Sequence, residues 1–402
     1  MPTPASVSPL VAAVLYPPNR PPEALLANFA AALAGRGFKV GGLVQHTTFA
    51  ADGRKDAMLV TELDTGRTLS IGQPLGKEAS ACILDPSALA DASGAIRRAV
   101  AAKADVLFVN KFSKSELNGD GLADDLLAAM AEGVPVVLAV PGVLVEEWTA
   151  FTGGRSDLLA PTEAALWRWW GARRLYDDLA LGVADDPVKR VVVGLNWTMV
   201  EGPDGVGLAQ TPERGTPGCH GLARPPESLR EMAALARSFN PFEAALGIAA
   251  CNAHYNRFDL AAEQLNGLDA FGRLDGNLVV VGAFPALAER LPNAAVIDRR
   301  PGPGQYPEHA AEWLLPAADA AIVTASALAN RSLPRLLDLA RSGRVALVGP
   351  GAPLTPRLFS YGIEVSSGLV AEDVDGLARA VAEGAGAKEL KRHCRPATIR
   401  RS

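Results

Sequence analysis

Four side chains near the middle of the sequence carry the chemistry of metal ligands. Cys219 and His220 are adjacent, while Glu243 and His254 stand eleven residues apart. Thiolate, imidazole and carboxylate groups hold a metal only when two to four of them converge within about 2.0–2.6 Å of one point. Residues eleven apart on a helix share a face to within about 20° but lie about 16 Å apart along the axis. Glu243 and His254 therefore cannot serve the same ion. Cys219-His220 sits in a glycine- and proline-rich loop that could fold onto either end, so Cys219, His220 and His254 form a credible soft-to-borderline set. Glu243 could equally be a capping acid. A second group comprises Gly282, Thr324, Ser326, Asn330, Gly349 and Gly351, each following a short apolar run. Their backbone N–H groups would suit an anion at the ends of parallel strands.

These candidates need elements to position them. Residues 240–256 read as a helix, with Asn240 as cap, Pro241 in the first turn and Glu243 where a capping-box acid would reach back. Ala244, Ala245, Gly247, Ala249 and Ala250 leave room for another backbone to come close. Asn252 and Asn256 are expected to tie this helix to neighbouring backbone, and Cys251 to be a small buried side chain. Residues 188–197 and 206–210 read as an antiparallel hairpin turning at 202–205. From residue 277 the chain alternates strand and helix, the pattern of a parallel sheet covered by helices. Strand 278–281 is followed by Gly282-Ala283-Phe284-Pro285 instead of G-x-G-x-x-G, which disfavours ordinary NAD binding. Asp298, after the second strand, could take a ribose hydroxyl. No nucleophile elbow or Ser–His–Asp order is present.

The first 150 residues show the same alternation, with strands at 10–15, 40–44, 106–110 and 136–140, helices at 22–35, 85–102 and 122–132, and a hairpin at 58–71. Between the two halves stands Trp167-Arg168-Trp169-Trp170 with Arg173, Arg174 and Tyr176. This cluster reads as an amphipathic linker helix, or as a surface for a partner. The chain of 402 residues carries a net charge of −5, and it has no basic run interleaved with aromatics, so nucleic-acid binding is not expected. Its four cysteines lack C-x-x-C spacing, which argues against a disulfide framework or zinc knuckle. With no apolar run near twenty residues and no basic leader, no membrane role is expected and a cytoplasmic setting is the default.

Two resemblances follow from longer motifs. Residues 8–158 resemble a P-loop nucleoside triphosphatase, and more closely the domain-of-unknown-function family 2478. They carry V-G-G-L-V-Q at 40–45, L-D-P at 84–86 and V-N-K-F-S-K-S-E at 109–116. The loop after the first strand is Tyr16-Pro17-Pro18-Asn19-Arg20-Pro21-Pro22, without the glycines and lysine that cradle phosphate. Asn110 stands where such proteins carry a magnesium acid. Both departures argue against nucleotide hydrolysis. Residues 188–386 resemble the heavy-metal chelation family built from domain-of-unknown-function families 4213 and 364. The matching segments are G-V-G-L-A at 205–209, N-P-F-E-A-A-L-G-I-A-A-C-N-A-H-Y-N at 240–256, V-V-V-G-A-F-P at 279–285, L-P-R-L-L-D-L-A-R at 333–341 and V-G-P-G-A-P-L-T-P at 348–356. This resemblance implies an enolase-N-terminal-like α+β unit packed on a Rossmann-like doubly wound domain, with a ligand cleft between them.

The expected organisation is α/β throughout. It comprises a degenerate P-loop-like parallel-sheet domain at 1–160, an aromatic-rich linker helix at 161–187, the enolase-N-terminal-like unit at 188–270, the Rossmann-like unit at 271–390 and a solvated basic tail at 391–402. The expected function is binding, with delivery or insertion, of a metal ion, metal oxyanion or metallocofactor. Glu243, His254, Cys219 and His220 would be donors, and a metalloprotein client or a second copy of the chain would be a partner. The alternatives are an enzyme using a nucleotide or S-adenosyl cofactor in the same cleft, and a partner-binding scaffold.

Overall fold

The computed structural model describes residues 11–18, 20–49, 55–72, 86–222, 224–272, 274, 276–341 and 343–401. The chain forms two compact units, Met1–Trp170 and Gly171–Ser402.

In the first unit, strand β1 (Val11–Tyr16) leads through the proline loop into helix α1 (Glu23–Gly35). Strands β2 (Val40–Phe49), β3 (Lys55–Glu62) and β4 (Thr68–Ser70) follow. Helix α2 (Pro86–Ala101) precedes β5 (Val106–Lys111), and α3 (Lys114–Leu117) and α4 (Ala123–Ala131) precede β6 (Val136–Pro141). Helix α5 (Val145–Phe151), strand β7 (Asp157–Leu159) and helix α6 (Glu163–Trp170) complete the unit. The sheet runs β4-β3-β2-β5-β6-β1-β7. Strand β1 lies parallel between β6 and β7, while β3 pairs antiparallel with both β2 and β4. Strands β1 and β6 are buried along nearly their whole length because a parallel sheet is covered on both faces. Of the L-D-P motif, Leu84 and Asp85 lie outside the described residues.

The expected linker helix at 161–187 is instead divided. Its tryptophans belong to the first unit, where Trp167 packs edge-on against Phe29 at 5.2 Å and Trp170 against Phe38 at 5.1 Å. Rings this apolar are worth more in a core than at the surface, so the cluster does not offer them to a partner. The remainder, α7 (Leu175–Leu181), belongs to the second unit.

The second unit continues with β8 (Arg190–Val193), β9 (Trp197–Glu201), β10 (Val206–Gln210), α8 (Leu229–Ala234) and α9 (Pro241–Tyr255). The hairpin expected at 188–210 is a three-stranded antiparallel meander, ordered β10-β9-β8, because Gly194-Leu195-Asn196 turns the first run back on itself. Helix α9 is buried from Ala244 through Ala253. Its small residues admit close neighbours: a β-carbon at Gly207 of β10 would stand 1.9 Å from the Ala249 carbonyl oxygen, and one at Gly247 would stand 2.0 Å from the Ala236 nitrogen.

The rest of the unit is a second seven-stranded sheet. Its first half comprises β11 (Leu278–Val281), α10 (Leu287–Arg290), β12 (Ala295–Asp298), β13 (Tyr306–Pro307), α11 (Ala311–Leu314) and β14 (Ala320–Thr324). Then come α12 (Ser326–Ala329), α13 (Leu333–Leu339), β15 (Arg344–Val348), β16 (Ile363–Ala371), α14 (Val374–Ala382), α15 (Ala387–Leu390) and β17 (Cys394–Arg400). The order β13-β12-β11-β14-β15-β16-β17 is that of a doubly wound sheet, parallel except for β17. The basic tail expected to be solvated is thus an edge strand. Cys394, Ala397 and Thr398 are buried against β16, while arginines occupy positions that remain accessible.

Candidate functional site

The first sheet ends where a phosphate loop would lie in a P-loop protein. Pro17, Pro18, Pro21 and Pro22 carry no N–H group, and Glu23 opens α1. Its carboxylate accepts hydrogen bonds from Gln45 Nε2 at 2.6 Å and from the Thr47 amide and hydroxyl at 2.8 Å each. Beside Tyr16, Pro22, Glu23 and Gln45 remains a void of about 10 Å3, room for about one water. Burial and the Glu23 charge hold the Tyr16 phenol above its ordinary value. A protein carboxylate therefore occupies the helix start that would otherwise face an anion.

The second unit contains a larger opening. In a doubly wound sheet the loops after the two central strands diverge and leave a crevice. Here those strands are β11 and β14, and a cleft of about 640 Å3 lies beyond their carboxyl ends. One wall is Gly282 and Ala283 after β11, Asp298 at the end of β12 with Arg299 and Arg300 after it, and Thr324 at the end of β14 with Ser326, Asn330 and Arg331 after it. The opposite wall comes from the loop after β10, through Gln210, Thr211 and Glu213, and from Phe239 and Pro241 at the start of α9.

Local chemistry fixes these groups. Gly282 adopts φ +103° and stands so close to Thr324 that a β-carbon would lie 2.7 Å from its methyl group. The Thr324 hydroxyl accepts from the Ser326 amide and neighbours the Ser326 hydroxyl, each at 3.4 Å. Arg300 pairs with Glu213 across the cleft, and Arg299 with Glu308 at 3.8 Å. Both pairs are exposed, so each is held only weakly and can be exchanged for a stronger anion. Arg331 is different. Its backbone lies in the left-handed region at φ 63°, a conformation that costs a non-glycine residue roughly 1–3 kcal/mol. Its Nη1 donates to the carbonyls of Ala236 at 2.9 Å and Ser238 at 3.2 Å.

Not all the expected anion contacts are offered. The Gly282 amide donates to the Ile297 carbonyl at 2.8 Å, and the Gly349 amide to Ser367 at 2.9 Å. Strand pairing thus uses N–H groups expected to face a ligand. Gly349 and Gly351 do not line the cleft. They sit in the turn that receives α9, where Asn252 Nδ2 donates to the carbonyls of Gly351 at 2.9 Å and Leu208 at 2.8 Å. Asn256 bonds the next residues, donating to Ala352 at 3.0 Å and accepting from the Leu354 amide at 2.9 Å. The two asparagines tie the helix to backbone, as their positions suggested.

The four candidate metal donors are spread along α9. The Asn240 side chain accepts from the Phe242 amide at 3.1 Å as the helix cap, and also bridges the His220 amide and carbonyl at 3.2 and 2.8 Å. The Cys219-His220 loop therefore lies at the start of the helix. Glu243 is nearby but is engaged by the Ser238 hydroxyl, which itself accepts from the Asn240 amide at 3.0 Å. The expected capping box is thus relayed through a serine. His254 stands at the opposite end of α9, half-buried, and desolvation lowers its imidazole below the ordinary value, with the Arg257 and Arg357 charges adding to the effect and Asp186 opposing it. Burial pushes the Cys251 thiol up to about 12, leaving it a neutral packing group. Among the described residues, no three His, Cys, Asp or Glu side chains are gathered to hold a metal ion.

Sequence reasoning did not select Arg299, Arg300, Arg331, Glu213 or Phe239. Glycine-rich turns mark the ends of strands in a sequence, whereas an arginine lining a cleft leaves no local signature. No helix of the described residues is long and apolar enough to cross a membrane.

Comparisons with known proteins agree with this division. Residues 11–169 match the family described as Protein of unknown function (DUF2478). Residues 176–255 and 270–400 match two families, DUF4213 and DUF364, each described as Putative heavy-metal chelation. Both resemblances drawn from the motifs are borne out, and the two matches support a metal-binding role for the second unit. A Desulfitobacterium hafniense DCB-2 protein of unknown function from the DUF364 family is 29% identical, with a TM-score of 0.51. The match covers 57% of this chain and 98% of that one. A Pyrococcus horikoshii DUF364 protein, 21% identical over 57% of this chain and 98% of its own, has the same fold with a TM-score of 0.50. The Bradyrhizobium diazoefficiens protein named Molybdenum import ATP-binding protein ModC 2 is 44% identical over 160 residues, 40% of this chain. The chain spans only 18% of the length of that relative.

Proposed function

We propose that the second unit binds a metal in anionic form, as an oxyanion or within an anionic metallocofactor, and that it holds this cargo for delivery or insertion. The cleft beyond β11 and β14 carries the reading: it presents the hydroxyls of Thr324 and Ser326 with the guanidinium groups of Arg299 and Arg300. Such groups bind oxygen-bearing anions through charge-assisted hydrogen bonds. They are poor ligands for a bare cation. An oxyanion such as molybdate would enter the cleft with its own oxygen shell and need no convergence of thiolate, imidazole and carboxylate. The molybdenum named in the Bradyrhizobium protein supports this choice of cargo. In this reading the first unit is a degenerate P-loop-like domain, and the enolase-N-terminal-like and Rossmann-like parts of the second unit form the two walls of the cleft.

Calorimetric titration of the full chain with sodium molybdate and sodium tungstate tests the proposal. Saturable binding is expected, weakened about tenfold or more by Arg300→Ala combined with Ser326→Ala, a loss of ~1.4 kcal/mol or more. Equal affinity in that variant would remove the cleft from consideration. If instead zinc or copper binds, and the Glu243→Ala, His254→Ala, Cys219→Ala triple variant abolishes that binding, the cargo is a bare ion held along α9.

A second reading has its own observation. Asp298 ends β12 and its carboxylate accepts from the Arg300 amide at 2.8 Å, beside the switch point of the sheet. A carboxylate there suits a ribose diol. An enzyme using a nucleotide or S-adenosyl cofactor would show stabilisation by that cofactor in a thermal-shift screen, without stabilisation by molybdate.

A further inference from the structure

The cleft is much larger than a tetrahedral oxyanion, and one part of its rim is neither charged nor polar. Phe239 stands between two residues that build the start of α9 and remains 86% exposed. Its ring is nevertheless supported from behind: the Arg331 guanidinium lies 4.7 Å from the centre of Phe239 and 4.4 Å from the centre of Tyr176. The three side chains form a stack in the order Tyr176, Arg331, Phe239. Two of the layers are fixed by hydrogen bonds. Tyr176 is buried, and its hydroxyl donates to the Leu328 carbonyl at 2.9 Å. Arg331 is tied to the carbonyls of Ala236 and Ser238. Phe239 follows the Ser238 whose carbonyl receives that bond, so guanidinium and ring are held by the same turn.

We infer that Phe239 is a stacking platform and that the ligand of the cleft carries a flat aromatic or heteroaromatic ring joined to its anionic group. The inference rests on the anion-binding reading of the cleft and narrows it from any oxyanion to an organic one, metal-bearing or not. Three observations converge. The cleft, at about 640 Å3, has the size of sites for ligands that contain rings. The Arg331 cation lies over one face of Phe239 and the ring is otherwise exposed, which leaves a surface for another π-system. The hydroxyls of Thr324 and Ser326 share the same cleft, so ring and anion can be bound together. Arg331 acts on the ring through Phe239 and is a positioning residue, which accounts for a strained backbone at this point of the chain.

The test uses the full chain and probes that differ in the ring: adenosine 5′-monophosphate and flavin mononucleotide against ribose 5-phosphate, with molybdate as the anion alone. At least one ring-bearing probe is expected to bind about tenfold or more tightly than ribose 5-phosphate, as stacking on an aromatic side chain provides. Phe239→Leu should abolish that advantage while leaving the affinities for ribose 5-phosphate and molybdate unchanged, and Phe239→Trp should retain it. The exposure of Phe239 makes loss of folding in these variants an unsuitable explanation, and circular dichroism checks it. Equal affinity for ring-bearing and ring-free probes overturns the inference and leaves the anion site standing. So does an advantage that survives in Phe239→Leu. If neither molybdate nor ribose 5-phosphate binds, the anion reading falls and the inference falls with it.

Discussion

His254 closes α9 half-buried, with Asp186 and Asp204 favouring its charge and Arg257 and Arg357 opposing it. Desolvation is the largest influence, so its folded pKa lies below the unfolded value of about 6.5. As pH falls through that window the unfolded chain takes up a proton before the folded one. Stability therefore rises with pH here: it is present in full above about 6.5 and declines below it. The urea midpoint should fall between about pH 7.5 and pH 5.5, and His254→Asn should lessen that fall. A variant with an unaltered pH dependence would mean that this imidazole is not desolvated in solution. The same residue scale separates packing from ligand chemistry. Asn252 and Asn256 are polar, yet their amides are spent on the carbonyls of Leu208, Gly351 and Ala352. Exposed arginines carry the charge of the cleft instead.

At the scale of the element, α9 is held by contacts that admit no extra atom. Gly247 meets Ala236, and Gly207 of β10 meets the Ala249 carbonyl, at separations a β-carbon would violate. Helix propensity alone would favour Gly247→Ala by about 1 kcal/mol. Backbone cannot yield like the end of a side chain, so steric overlap wins. Gly247→Ala is expected to lose about 1–3 kcal/mol or more in a denaturant titration, whereas Gly221→Ala, which meets no atom within 4 Å, should change little. Equal stability of the two variants would show that α9 can move away from its neighbours. The element also explains the reach of the candidate site. One end of α9 carries Phe239 and Asn240 beside the cleft, while the asparagines near the other end fix it to the turn after β15. Strand β17 shows the opposite case, where a segment rich in arginine still folds because Cys394, Ala397 and Thr398 are buried within the unit.

At the scale of the whole molecule each unit has its own core. Among the described residues, one apolar cluster lies within Val11 to Trp148, and further clusters lie between Val192 and Ile399. The cleft is built wholly from residues of the second unit. Residues 171–402 expressed alone should therefore unfold cooperatively and keep the molybdate affinity of the full chain within about twofold, since every residue lining the cleft is retained. Loss of binding in a folded second unit would show that the cleft depends on the first. The comparisons bear on the same division, because the heavy-metal chelation matches lie in one unit and the DUF2478 match lies in the other.

The amino-acid order alone determined features whose cause is local. Alternating apolar runs and glycine turns identified most strands, Asn240-Pro241 fixed the start of α9, and long motifs such as residues 240–256 carried the family resemblance. The missing glycines after β1 were equally plain. Tertiary structure decided which polar groups remain available for a ligand. The Gly282 and Gly349 amides were promising by position but are consumed by strand pairing. Arg331 gains its place from Tyr176 and Phe239, far away along the chain. A sequence records donors and acceptors, whereas their hydrogen-bond partners are assigned only when distant segments meet.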